Sequence, residues 1–248
     1  MFWQTRKTNQ IKQMAKSKHF YIRKTHRYLG LFLGIQFLIW TVSGLYFSWT
    51  NIDDIHGDQY RDFTAKSASF TNLISPSKLQ DSIEIKSVEL RDINGVAYYW
   101  INKKELYNAQ SGAKKIGITK EEALAIAIRN MRKDLEVKAI SLIDSVGKKH
   151  EYRGKLLPAY VISYMDPKDV KAYVSFNDGA FQTVRHRDWR WYDFLWMTHI
   201  MDYDGRENFN NWPLRIFSLM GLITVLSGFL LWFVSSKRIK RILKRSND

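Results

Sequence analysis

The 248-residue chain has no cysteine. That excludes disulfides, thiolate nucleophiles, cysteine metal sites and haem attached covalently through a Cys-x-x-Cys-His run. It also lacks a Gly-rich phosphate loop, a His-Glu-x-x-His helix and a Gly-x-Ser-x-Gly elbow, so nothing points to a nucleotide-binding or hydrolase site. Acid is scarce where base is dense. Residues 1–27 hold eight Lys/Arg and no acid, and residues 235–248 hold six and one. These tails carry +13 of the net charge of +15 and leave +2 for the rest. So basic a chain raises the question of nucleic acid. The bases instead border long apolar runs, so anionic membrane lipid is the partner they imply and nucleic acid is not.

The first run, residues 28–49, has no charge. At about 1.5 Å per residue it reaches roughly 33 Å, enough for a bilayer core. The second, residues 213–234, holds only Arg215, near its start, where a long side chain can snorkel to the headgroups. Trp49, Trp212 and Trp232 suit an aromatic belt. The basic flanks predict both tails on the cytoplasmic side and the loop, residues 50–211, on the other. The first run reads as an uncleaved signal anchor: its basic region is long and no small-x-small cleavage site follows Phe47-Ser48-Trp49. Without disulfides the exported loop must rest on its own core, which its length allows.

The expected organisation is a basic tail (1–27), a first transmembrane helix (28–49), a loop region (50–188), an interfacial aromatic segment (189–211), a second transmembrane helix (213–234) and a basic tail (235–248). The loop reads as two related α+β units, about 75–115 and 119–186. In the second, Thr119-Lys120-Glu121-Glu122 is a capping box opening an amphipathic helix over 120–134. Strand patterns follow at 137–143, 159–165, 170–176 and 180–185, with turns at Asp166-Pro167-Lys168-Asp169 and Asn177-Asp178-Gly179. In the first, Ser75-Pro76-Ser77 starts a short helix, and strands at 85–91 and 96–101 flank the hairpin signal Asn94-Gly95. A third strand at 105–109 ends in Gln110-Ser111-Gly112, so the two units close with the same hairpin. Each unit is expected to pack one helix on an antiparallel sheet.

The capped helix with its meander resembles the PepSY domain. The run Arg23-Lys24-Thr25-His26-Arg27-Tyr28-Leu29-Gly30 leads into a span bearing Ser43-Gly44, and a second span bears Ser227-Gly228 and ends in Trp232. This arrangement resembles the PepSY-associated transmembrane family, and the resemblance covers most of the chain. It implies a bacterial inner-membrane protein with a periplasmic PepSY region. Larger four-span relatives are haem-containing reductases linked to ferric-siderophore uptake; this chain has two spans and corresponds to half of such a bundle.

The candidate site residues are histidines and glycines. His26 opens the first span, on one helical face with Gly30, Gly34, Phe37, Thr41 and Gly44. Gly30-x-x-x-Gly34 is a small-xxx-small pair, and Ser218, Gly221, Thr224 and Gly228 share a face of the second span. The plain expectation is helix packing, within the chain or between chains. The functional expectation is room for a flat macrocycle whose iron a histidine binds. His199 is the position that matches the family's histidine before the last span. His56 follows the first span and could face His199, whereas His26 lies a membrane thickness away. His26, His199 and His56 are therefore the candidate haem b ligands. Asp53, Asp54, His56 and Asp58 read as a solvated acidic turn rather than a metal site, and Asp202, Asp204 and Glu207 likewise. Two functions follow. One is a periplasmic binding or accessory module for a peptide or protein, connected with iron uptake. The other is a haem b electron-transfer protein or ferric-siderophore reductase component, acting as a homodimer or with a partner membrane protein. Enzyme activity stays open.

Overall fold

The computed structural model describes residues 2–64, 68–79 and 84–235, so most of the second basic tail and the side chain of His19 lie outside the described residues. The chain divides into two compact units, Met1–Ser48 with Trp196–Asp248, and Trp49–Leu195.

The first unit holds α1 (Phe2–Trp49), the last turn of α4 (Arg187–Ile200) and α5 (Trp212–Ser235). His26–Trp49 within α1 and Trp212–Phe233 within α5 are long enough to cross a bilayer, with mean hydropathy 1.6 and 2.1. Leu31, Ile35 and Leu38 on α1, and Leu222, Leu226 and Phe229 on α5, are each more than half exposed. A water-soluble helix hides such a face; these two leave it for lipid. Phe32 meets Phe217 at 5.5 Å between ring centres, and Phe37 packs over Gly221, 3.1 Å from where a Cβ would stand. His26, at the start of the first span, bonds Ser227 near the end of the second, so the two spans run antiparallel.

The second unit is α+β, with two four-stranded antiparallel sheets in plain sequential order. β1 (Val88–Ile93), β2 (Val96–Ile101), β3 (Glu105–Asn108) and β4 (Lys114–Lys115) make the first. Asn94 and Gly95 both take positive φ, as a two-residue hairpin needs, and pair Ile93 with Val96. β5 (Val137–Ile143), β6 (Ala159–Tyr164), β7 (Lys171–Ser175) and β8 (Phe181–Arg185) make the second. The shared closing hairpin holds in detail. Gly112 N–H donates to Asn108 O at 2.9 Å and Gly179 N–H to Ser175 O at 3.0 Å, while Asn108 N–H meets Ala113 O and Ser175 N–H meets Ala180 O.

α3 (Lys120–Asn130) carries the complete capping box: Thr119 Oγ1 accepts from Glu122 N–H at 3.2 Å, and the Glu122 carboxylate accepts from Thr119 N–H at 2.8 Å. Thr119→Ala should cost about 1 kcal/mol, read as a lower urea midpoint of the full chain in detergent. α3 buries Ala123, Ile126 and Ala127 in one core with Tyr98, Trp100 and Leu106 of the first sheet and Ile162, Ala172 and Val174 of the second. Arg91 reaches across to Asp178 at 3.1 Å. The far face of the first sheet is covered by Leu73, Ile74 and Leu79, and that of the second by Tyr152, which stacks on Tyr173 at 4.5 Å.

Two expectations change. α3 ends at Asn130, not 134, because Met131 turns extended to bridge Arg61, with Asp62 N–H on Asn130 O and Arg132 N–H on Tyr60 O. The first unit of the repeat has no packed α-helix among the described residues. Ser75 does cap a turn, but only a 3-10 helix, Pro76–Lys78, follows; no apolar periodic run is there to offset helix nucleation. The aromatic segment 189–211 divides into a helix and a loop. α4 starts at Arg187 and stops at Ile200, and a turn-rich loop runs on to Trp212.

Candidate functional site

The first unit contains two serine–histidine pairs, one for each Ser-Gly signature. His199 Nδ1 lies 2.7 Å from Ser43 Oγ, and His26 Nδ1 lies 2.7 Å from Ser227 Oγ. A serine hydroxyl has one proton, and inside an apolar helix it is spent on the preceding turn. Ser43 donates to Ile39 O at 2.7 Å, and Ser227 to Thr224 O at 2.8 Å. With the proton so spent, each serine is left to accept from its histidine. In that arrangement the imidazole donates from Nδ1 and leaves Nε2 as the outward-facing ring nitrogen for a ligand.

His199 sits in an aromatic cage. Trp196 is parallel to it within 11°, and Phe47 stands edge-on at 5.5 Å. The cage also satisfies the carbonyls that end α4. Trp40 Nε1–H donates to His199 O at 2.7 Å, Gln36 to Thr198 O at 3.3 Å and Asn211 to Ile200 O at 2.8 Å. This accounts for two polar side chains, Gln36 and Ser43, that are buried within an apolar span. Burial lowers the pKa of His199 below the ordinary value, which keeps it neutral.

His26 has a different surrounding. Gly228 lies so close that a Cβ there would stand 3.6 Å from His26 Cε1. Gly228 is also the floor of an apolar groove of about 430 Å³ walled by Val225, Phe229 and Trp232. Ser43 and His26 are roughly 25 Å apart along α1 at about 1.5 Å per residue, so the two histidines mark opposite ends of the span.

The glycines divide. Gly221 and Gly228 of α5 receive Phe37 and His26 of α1, whereas Gly30, Gly34 and Gly44 have no atom of the described residues within 4 Å of a would-be Cβ. His26 and Phe37 share the α1 face of those glycines, and it is these two side chains that seat on the glycines of α5. His56 is exposed at the end of α2 (Ile52–His56) in the second unit. No group of three or more His, Asp or Glu fit to hold a metal ion is found among the described residues.

Sequence reasoning missed His186. It is fully buried beside Tyr60, with Nε2–H shared between Asp54 O at 3.0 Å and Ile55 O at 3.2 Å. Its Nδ1 has no hydrogen bond and lies 3.9 Å from Asp188, whose carboxylate is held by Lys168. Nothing in its sequence neighbourhood signals this, because its partners lie 131 and 132 positions away. Burial lowers its pKa, against the pull of Asp188. The unfolded chain then binds a proton that the folded one refuses, so the contribution to stability is full above about pH 6.5 and is lost as pH falls through the lowered value. Urea midpoints of the full chain should drop between pH 7.5 and 5.5, and less steeply in His186→Gln.

These features define a two-span membrane protein with a folded α+β loop. The model of the PepSY-associated TM region matches residues 1–235, and the chain belongs to that family. No curated protein and no solved structure matches it.

Proposed function

We propose that this protein binds haem b and carries electrons across the bacterial inner membrane, with both termini cytoplasmic and the loop periplasmic. The observation that supports this reading is the pair of serine-locked imidazoles. An axial ligand to haem iron presents Nε2 while Nδ1–H is held by a second group, and His26 and His199 both have that arrangement. The groove over Gly228, the glycine that also makes room for His26, is apolar and walled by Trp232, which suits a flat macrocycle. A bound haem supplies one-electron transfer. The residues of this chain orient the imidazoles and exclude water. Each end of the span offers one such histidine; His26 and His199 would each hold a separate haem, and a second copy of the chain or a partner membrane protein would supply any further ligand. The family resemblance suggests reduction of ferric siderophores in iron uptake as the setting. The absorbance spectrum of full-length protein purified from haem-supplied cells tests the reading. A Soret band at substoichiometric or higher occupancy is expected, and colourless protein would sink it.

A second reading, a periplasmic binding or accessory module, rests on β5. It forms one edge of its sheet, with Leu142 half exposed. A peptide strand can add to such an edge. Slower amide exchange in β5 of the full chain on adding a peptide partner is the result expected; unchanged exchange during demonstrated binding removes the edge from the account.

A further inference from the structure

The first half of α4 carries a second feature, independent of the haem reading. Arg187, Arg190, Trp191 and Phe194 line an open groove of about 380 Å³. Trp191 and Phe194 stand edge to face at 6.0 Å and remain 59% and 44% exposed. The two arginines are not equivalent. Arg190 is committed, with Nε–H on Glu151 at 2.6 Å and further bonds to the carboxylate and carbonyl of Asp169. Arg187 is 59% exposed, and its carboxylate neighbour, Asp188, is 4.0 Å away and already held by Lys168 at 2.6 Å. Arg187 therefore has donors to spare beside two exposed aromatic rings.

We propose that this groove binds the headgroup of an anionic phospholipid. Arg187 donates to the phosphate, Arg190 forms a fixed cationic wall, and Trp191 and Phe194 take the glycerol and upper acyl region. The pairing is one of charge and polarity together. A soluble anion would use the arginine and gain nothing from the rings, and a neutral lipid would use the rings and leave the extra cation unanswered. Tryptophan and arginine side by side are the residues that headgroup-level helices employ.

The test is amide exchange over residues 187–194 of the full chain in nanodiscs of phosphatidylcholine, with and without phosphatidylglycerol. This local readout is blind to lipid attracted by the basic tails. Phosphatidylglycerol should slow exchange there about fivefold, the weight of one base near an anionic surface. Arg187→Gln, which keeps the backbone bond from residue 187 to Lys168 O, and Trp191→Ala should each remove the slowing. Equal protection by phosphatidylcholine alone, protection by inorganic phosphate, or a response unchanged in Arg187→Gln each overturns the proposal.

Discussion

His26→Ala and His199→Ala are each expected to remove haem from one end of the span, so that each single variant loses about half the Soret absorbance and the double variant loses all of it. The argument rests on where the two rings are held. One is fixed by Ser227 and the other by Ser43, at opposite ends of the first span. Neither can replace the other. The serines provide a graded control. Ser43→Ala and Ser227→Ala keep the histidine but release its Nδ1–H, and loss of such a supporting bond typically weakens binding about 10–100-fold. Titration of the apoprotein with haem, followed by absorbance, reads both effects. A histidine that served only to pack would change stability and leave the whole Soret absorbance in place. Equal full loss in both single variants would show instead one shared site, which the span's length does not permit.

Gly117→Ala is expected to be the most damaging small change in the loop unit. Gly117 has φ +68, and a Cβ there would lie 2.2 Å from Phe176 Cε1 and 2.3 Å from Cζ. The neighbouring backbone cannot yield easily, because Ile118 N–H is bonded to Phe176 O at 2.8 Å. Two penalties add: the left-handed backbone, about 1 kcal/mol for a non-glycine residue, and the displaced ring, about 1–3 kcal/mol. A loss of about 3 kcal/mol is a large part of the stability of a single domain. The expected result is a markedly lower urea midpoint for the full chain in detergent. Gly147→Ala, at a glycine with nothing within 4 Å, should be close to neutral.

Much of the architecture was legible in local pattern. Thr119 and Glu122, Asn94-Gly95 and the two apolar runs each report a structure made by residues close in sequence, so propensity and period suffice to read them. Errors appeared where a distant segment intervened. α3 is cut short by the chain around Arg61, and the short helix that Ser75 caps is a 3-10 helix, Pro76–Lys78, rather than a packed α-helix.

The candidate site shows the same division. The sequence by itself determined that Ser-Gly occurs once in each span, that a histidine stands near the start of the first and ahead of the second, and that the charges gather beside both. Those are properties of composition and order along the chain. Only the tertiary structure decided that each serine, rather than each glycine, meets a histidine from the other part of the membrane unit. It also showed that Gly228 makes room for His26 while no described atom lies within 4 Å of a Cβ at Gly44, and that His186 is a buried neutral group. These depend on which atoms long-range packing brings within about 3 Å, where a single proton settles which ring nitrogen keeps its lone pair.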